Sequence, residues 1–293
     1  FGLAGMIMTL WTGDGSAVEV ARVQPMKLAA MEGLYDGNVG QSLVAVGFVN
    51  PDKKPGDNLE AIKGEISIPY GLSILANHDP NSFVPGINDL IEGRTITADG
   101  DTVYGDSYAD RIVMGKAARE ALARYAEAKS SGDTAAMSRA KDDVMANFKY
   151  FGYGYLDSAE EAVPPVALTF YSFRVMVMAG GYLLLLFIAL IFICYRRKAV
   201  LEKPWLHWLG IISVPVVWIC SQAGWIVAEV GRQPWVIQDL MPTRAAISGI
   251  TTGSVQLTFW IFAVLFTMLL AAEISIMLRY IGRASHKNIE QPE

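Results

Sequence analysis

The stretch VMVMAGGYLLLLFIALIFICY (residues 175–195) runs for 21 residues without a charged side chain. Two further uncharged stretches follow it, 21 residues from Trp208 to Ala228 and 28 residues from Ala245 to Ala272. A bilayer core about 30 Å thick is crossed by roughly 20 apolar helical residues, so each stretch is long enough to span it. Buried helices of a large soluble protein seldom give three such stretches in succession. The sequence therefore predicts an all-α fold, a polytopic membrane helical bundle.

The first residues, FGLAGMIMTLW (residues 1–11), are also apolar but are about half a span long. They carry no basic residues ahead of the apolar part, unlike a secretory signal peptide. We interpret them as the end of a transmembrane helix that begins before this sequence.

A long polar segment, residues 12–168, separates that half-span from the three full spans. It contains 23 acidic and 14 basic residues, a net charge of −9, which argues against a nucleic-acid partner. Within it, residues 110–130 and 133–150 have the composition of two polar helices, and Asp133 is a predicted N-cap of the second. The predicted organisation is thus a half-span (1–11), a large polar loop (12–168), three transmembrane helices (169–280) and a polar tail (281–293).

Basic residues indicate which side of the membrane each segment faces. One side carries two groups, which follow the first and third full spans: Arg196, Arg197, Lys198 and Lys203, then Arg279, Arg283 and Lys287. The opposite short connection carries only Arg232 and Arg244. Short cytoplasmic loops are enriched in Lys and Arg, so the C-terminus is predicted to be cytoplasmic and the long loop periplasmic.

The cysteines and histidines show no ligand pattern. Cys194 and Cys220 both lie in membrane stretches, and fit neither a disulfide framework nor a CxxC metal site. His78, His207 and His286 have no ligand spacing among themselves.

The end of the second span, GWIVAEVGRQPW (residues 224–235), carries a polar helix face. Trp225 and Glu229 are four residues apart and Arg232 follows three later, so all three lie on one side of the helix. An unpartnered carboxylate at mid-bilayer costs about 2.5–3.5 kcal/mol, and Arg232 is an available partner. Two interpretations stay open: a structural Glu229–Arg232 ion pair, or a metal-ligating Glu229 beside an Arg232 that holds anionic groups.

Two less specific segments are predicted to lie near the same side of the membrane. Met176, in FRVM (residues 173–176), is typical of helix packing, although a thioether can also be an axial haem ligand. Lys27 and Glu32, in VQPMKLAAME (residues 23–32), could be an ordinary solvated surface, or could bind a quinol head group and accept its proton.

Together these segments resemble cytochrome bd quinol oxidase subunit I. GWxxAExGRQPW at 224–235 is the most specific match, and FRVM at 173–176, VQxxKLAAxE at 23–32 and IPY at 68–70 occur in the family's order. The resemblance covers essentially the whole chain, from the end of the sixth transmembrane helix to beyond the ninth.

The resemblance implies roles that spacing alone does not. Met176 matches the iron ligand of the low-spin haem b, and Glu229 that of the high-spin haem b beside haem d. Trp225 matches the tryptophan between the haems. Arg174 and Arg232 match arginines near the low-spin haem and the haem propionates. The Lys and Glu of the quinol-oxidising loop are matched by Lys27 and Glu32.

The implied protein is a quinol:oxygen oxidoreductase of the bacterial cytoplasmic (inner) membrane that separates charge across it. Its donor would be ubiquinol or menaquinol, and its remaining haem ligands, histidines, would lie in helices that precede this sequence. The expected partners are membrane lipid, a second large oxidase subunit and, where present, a small single-helix subunit. The alternative is a transporter or structural subunit in which Glu229 and Arg232 form only a structural ion pair.

Overall fold

The computed structural model describes residues 1–97, 99–196 and 203–289, with side chains described as far as residue 282. Arg197, Lys198 and residues 290–293 of the predicted tail lie outside the described residues, as do the side chains of Arg283 and Lys287. The structure divides into two compact units, residues 1–246 and 247–293, and each is described by itself.

Two long apolar helices form the membrane part of the first unit. Helix α7 (Val166–Arg196) and helix α8 (Pro204–Val230) pack along each other, and both are long and apolar enough to cross a bilayer. Lys203 precedes α8, and Pro204 occupies its first turn, where proline removes no intrahelical hydrogen bond. The first two predicted spans are therefore confirmed, with α7 beginning nine residues before the uncharged stretch.

The third predicted span is also confirmed and makes up most of the second unit. Helix α9 (Thr252–Ile289) contains an apolar segment, Thr252–Gly282, that is long enough to cross a bilayer. The helix continues past residue 280, where the sequence suggests that the polar tail begins.

The chain begins in helix α1 (Gly2–Val23), which continues well beyond the apolar residues 1–11. It packs against α7 so closely that a Cβ on Gly2 would lie 2.5 Å from the Phe187 ring. Gln24 separates α1 from the short helix α2 (Pro25–Glu32), which Gly33 ends in a left-handed conformation at φ 63°. The polar residues 12–23 are thus helical, where the sequence suggests loop.

The long loop contains short antiparallel sheets that the sequence analysis did not predict. The largest pairs β2 (Leu43–Val49) with β3 (Ile62–Ile68). Two further pairs in the loop involve two or three residues on each strand: β1 (Asn38–Val39) with β4 (Phe83–Val84), and β5 (Arg94–Ile96) with β6 (Thr102–Tyr104). The short helices α3 (Gly71–Asn77) and α4 (Ile87–Glu92) lie between these strands. A fourth pair, β7 (Trp235–Ile237) with β8 (Met241–Pro242), lies in the short connection that follows α8. The all-α membrane class is still confirmed, because these strands lie outside the three membrane helices.

The two predicted polar helices of the loop are confirmed. They are α5 (Tyr108–Ser131) and α6 (Thr134–Asn147). Asp133 caps α6 as predicted, because its Oδ1 accepts hydrogen bonds from the backbone N–H groups of Ala135 and Ala136, both at 3.0 Å. A 3-10 helix (Phe148–Tyr155) then packs along α5.

An aromatic cluster attaches this 3-10 helix to the chain that follows α8. The Tyr153 ring lies 4.9 Å from the Trp235 ring, centroid to centroid, and 5.3 Å from the Tyr108 ring. The Tyr153 hydroxyl donates to Asp239 Oδ1 at 2.7 Å, and burial raises the pKa of that hydroxyl. The C-terminal end of α8 is therefore held by the folded loop.

Candidate functional site

Glu32 and Arg174 form a buried ion pair between the loop and the membrane part. Arg174 Nη2 donates to Glu32 Oε2 at 2.7 Å, and the two side chains are 7% and 1% exposed. Arg174 also donates to the carbonyl oxygens of Met31 and, at 2.6 Å, Val44. Its guanidinium stacks on the Phe170 ring at 3.9 Å from the centroid. One α7 side chain thus fixes the end of α2 and the start of β2.

The environment of Glu32 suits proton transfer. Burial raises the pKa of this carboxyl to about 7, because the opposing effect of Arg174 only partly offsets the loss of hydration. Glu32 Oε1 is buried and has no hydrogen-bond partner among the described residues. Such a carboxyl can hold or release a proton near neutral pH, which is a requirement for a general base.

Lys27 does not join Glu32, although both belong to α2. The half-buried Lys27 side chain lies against the C-terminal end of α8, where Nζ donates to the Ala228 carbonyl oxygen at 3.4 Å. Burial lowers the pKa of Lys27, and the nearby Arg232 charge lowers it further, while Glu229 opposes both effects. The two predicted quinol-loop residues therefore stand in different environments, one beside α7 and the other beside α8.

Met176 faces α8 at a glycine. A Cβ on Gly224 would lie 3.1 Å from Met176 Sδ, which is closer than an ordinary van der Waals contact. Cys220, one turn earlier on α8, donates its thiol to the Met176 carbonyl oxygen at 3.4 Å. A glycine at position 224 thus leaves room for the thioether.

The predicted polar face at the end of α8 is present. Arg232 Nη2 donates to Glu229 Oε2, and both side chains are partly exposed. Trp225, one turn before Glu229, is 62% exposed. Helix α8 ends at Val230, and Gln233 donates its amide to the Glu229 carbonyl oxygen at 3.2 Å. The ion pair of the structural interpretation is therefore formed.

The same residues fit a haem-binding role. Arg232 Nε is buried without a hydrogen-bond partner among the described residues, so an added carboxylate such as a haem propionate would satisfy it. Glu229 Oε1 accepts no hydrogen bond from the described side chains, which leaves one carboxylate oxygen for a metal. No cluster of three His, Cys, Asp or Glu side chains that could hold a metal occurs in residues 1–97, 99–196 and 203–289.

The Arg174–Glu32 contact is the feature that sequence reasoning missed. The resemblance assigns Arg174 to the surroundings of the low-spin haem, whereas the structure directs its guanidinium to three loop acceptors. The charge of Arg174 was the signal in the sequence that could have indicated such a contact, because an arginine at the start of an apolar span needs hydrogen-bond acceptors nearby.

Known proteins resemble this chain over nearly its whole length. A family model described as cytochrome bd terminal oxidase subunit I matches residues 1–285. Cytochrome bd-II ubiquinol oxidase subunit 1 of Escherichia coli (strain K12) is 34% identical over 282 residues, which are 96% of this chain and 53% of that protein. Cytochrome bd ubiquinol oxidase subunit 1 of Bacillus subtilis (strain 168) is 28% identical over 280 residues, 94% of this chain and 46% of that protein.

The fold has a solved counterpart. The structure of bd oxidase from Geobacillus thermodenitrificans matches with a TM-score of 0.59 at 23% identity, over 96% of this chain and 47% of that chain. The chain thus spans about half the length of the curated relatives that it matches.

Proposed function

The chain belongs to the cytochrome bd terminal oxidase subunit I family, and on that premise we propose that the full-length protein is the haem-carrying subunit of a quinol:oxygen oxidoreductase. It would lie in the bacterial inner membrane with its long loop on the periplasmic side and its C-terminus in the cytoplasm. It would work with a second large subunit and, where present, a small single-helix subunit. Ubiquinol or menaquinol would be the donor.

The observation that carries this proposal is the position of Arg174. Its side chain holds Glu32 at 2.7 Å, and its backbone lies two residues before Met176 on α7. Oxidising a quinol requires that protons and electrons leave in different directions. Arg174, which holds the proton acceptor Glu32, and Met176, which would hold the haem, lie within one turn of α7. The proton and the electrons of a quinol at this turn would therefore be taken up by different groups.

Four residues would hold or border the cofactors. Met176 would ligate the iron of the low-spin haem b, and Glu229 Oε1 that of the high-spin haem b. Arg232 would bind haem propionates through its Nε, which has no hydrogen-bond partner among the described residues. Trp225 would lie between the haems. When bound, these haems and a haem d would supply the one-electron carriers and the metal that binds oxygen. These four residues would then fix the positions of the haems near the outer face of the membrane.

The chain's own residues would perform the proton chemistry. A quinol hydroxyl that approaches Arg174 Nη2 also approaches Glu32 Oε2, since these two atoms are 2.7 Å apart. Glu32 would accept the proton and release it on the outer side. Lys27, beside the end of α8, would contribute positive charge near Glu229 and Arg232. If the protons consumed at oxygen come from the cytoplasm, the reaction separates charge without a pump.

The test is quinol-dependent oxygen uptake by the full-length protein purified with its partner subunits. Glu32→Gln should abolish most of the uptake and leave the haem content unchanged, because a neutral amide cannot accept the proton. Glu127→Gln, the same substitution at an exposed site on α5, is the matched control and should have no effect. A membrane transporter or structural subunit would show neither haem absorbance nor uptake.

A further inference from the structure

Glu32 and Arg174 each line a cavity. Glu32 lines a polar cavity of about 350 Å³, and Arg174 lines an apolar pocket of about 210 Å³. Val44, whose carbonyl oxygen accepts from Arg174, lines both. The two members of the ion pair therefore border different cavities, which share Val44 as a lining residue.

The apolar pocket is lined in part by the membrane helix α7. Arg174 is its only charged lining residue, and Phe173, Val177 and Met178 of α7 contribute apolar wall. Val177 and Met178 are about half exposed on the surface of the span. A cavity of roughly 150 Å³ accommodates a benzene ring, so this pocket has room for one substituted ring that arrives from the lipid.

The polar cavity leads to water and carries negative charge. At its inner end stands the buried Glu32, whose Oε1 has no partner among the described residues. Lys53 also lines it, but its charge is offset by Asp57, at 2.9 Å. The remaining charged lining residues are all acidic and exposed: Asp36, Glu60 and Glu65. Carboxylates thus occur at both the closed and the open end.

We propose that this polar cavity is the exit route for the quinol proton, with Glu32 as the inner acceptor and Glu60 and Glu65 as relay carboxylates at its mouth. The inference rests on the proposed function and deepens it, because it assigns a direction to each product of quinol oxidation. It gives three of the loop's acidic residues, Glu32, Glu60 and Glu65, a role in proton transfer.

A quinol loses two protons and two electrons and becomes a quinone. The haem that Met176 would hold would supply the one-electron acceptor for these electrons. Each proton passes from a quinol hydroxyl to the Glu32 carboxylate, then across the cavity to Glu60 or Glu65 and out to bulk water. The pKa of about 7 at Glu32 lets the carboxyl both accept and return the proton near neutral pH.

The experiment uses the full-length oxidase complex in liposomes, with a short-tailed ubiquinol and, separately, a short-tailed menaquinol as donors. The variant is Glu60→Gln combined with Glu65→Gln. The matched control is Glu120→Gln combined with Glu127→Gln, which removes the same charge from the exposed face of α5. Oxygen uptake is measured in H2O and D2O, and the haem spectrum is recorded for each protein.

The relay variant should lose kcat on the order of tenfold, less than the roughly 10²–10⁴-fold that a primary proton-transfer group contributes. Its solvent isotope effect should rise, imidazole should restore part of the rate, and KM and the haem spectrum should stay unchanged. An unchanged kcat and isotope effect would overturn the exit route alone, as would a loss of rate that imidazole does not relieve. A wild-type complex without quinol oxidation would overturn the proposed function as well.

Discussion

Replacing Arg174 with leucine tests whether this arginine serves the proton acceptor. Arg174 holds Glu32 Oε2 at 2.7 Å, and both side chains are almost fully buried. The arginine lowers the pKa of Glu32 against the larger effect of burial. Without Arg174, the pKa of Glu32 must rise above about 7, because burial then acts without an opposing charge.

The size of that rise follows from the contact. A hydrogen bond to a charged group contributes about 1.5–3 kcal/mol, and one pKa unit corresponds to about 1.4 kcal/mol. Losing this charge-assisted contact should therefore raise the pKa of Glu32 by roughly one to two units. Glu32 must be ionised to accept a proton, so the acid limb of the rate profile should move to higher pH by the same amount.

The assay is the pH dependence of kcat/KM for quinol oxidation by the full-length complex. Arg174→Leu should shift the acid limb by about one to two pH units, and Arg174→Lys, which keeps the charge, should shift it less. Adding Glu32→Gln to Arg174→Leu should remove this limb. An acid limb that stays in place while the haem reduction potential changes would refute the reasoning, and would instead place Arg174 at the haem.

Further consequences follow from close contacts and from titration. Gly224→Ala should displace the Met176 thioether, which lies 3.1 Å from the added Cβ, and alter the low-spin haem spectrum, whereas Gly210→Ala, with open space on the same helix, should not. Gly115→Ala should cost about 1–3 kcal/mol or more through overpacking against the 3-10 helix, measured as a lower Tm. Because the pKa of Glu32 is raised on folding from 4.5 to about 7, its contribution to stability is complete below pH 4.5 and is lost as the pH rises through about 7. Glu32→Gln should remove that dependence, on the order of 3 kcal/mol, in a Tm-versus-pH series.

Helices were predictable from the sequence where the signal is local. The uncharged stretches correspond to α7, α8 and α9, and the Asp133 cap marks the start of α6. The small sheets were not predictable, because strands of two or three residues carry too little periodicity. The polar end of α1 was missed for a related reason, since its glycines and charges mask a helix that packs on α2 and α3.

The candidate site was predictable along one helix and not between segments. Glu229 and Arg232 are three residues apart in the sequence, so their contact is local, even though Arg232 lies two residues beyond the end of α8. Glu32 and Arg174 are separated by 142 residues, and their pairing depends on how the loop folds back on α7. Contacts between residues so far apart in the sequence cannot be predicted from residue spacing. The different surroundings of Lys27 and Glu32 could not be predicted for the same reason.

A reduced-minus-oxidised spectrum of membranes that carry the full-length protein tests the central claim most directly. With the wild-type protein it should show a low-spin haem b together with the haems of the oxygen site. Met176→Leu should remove the low-spin signal and leave the others, because the thioether that would hold that iron is gone. A spectrum that Met176→Leu leaves unchanged would contradict the account.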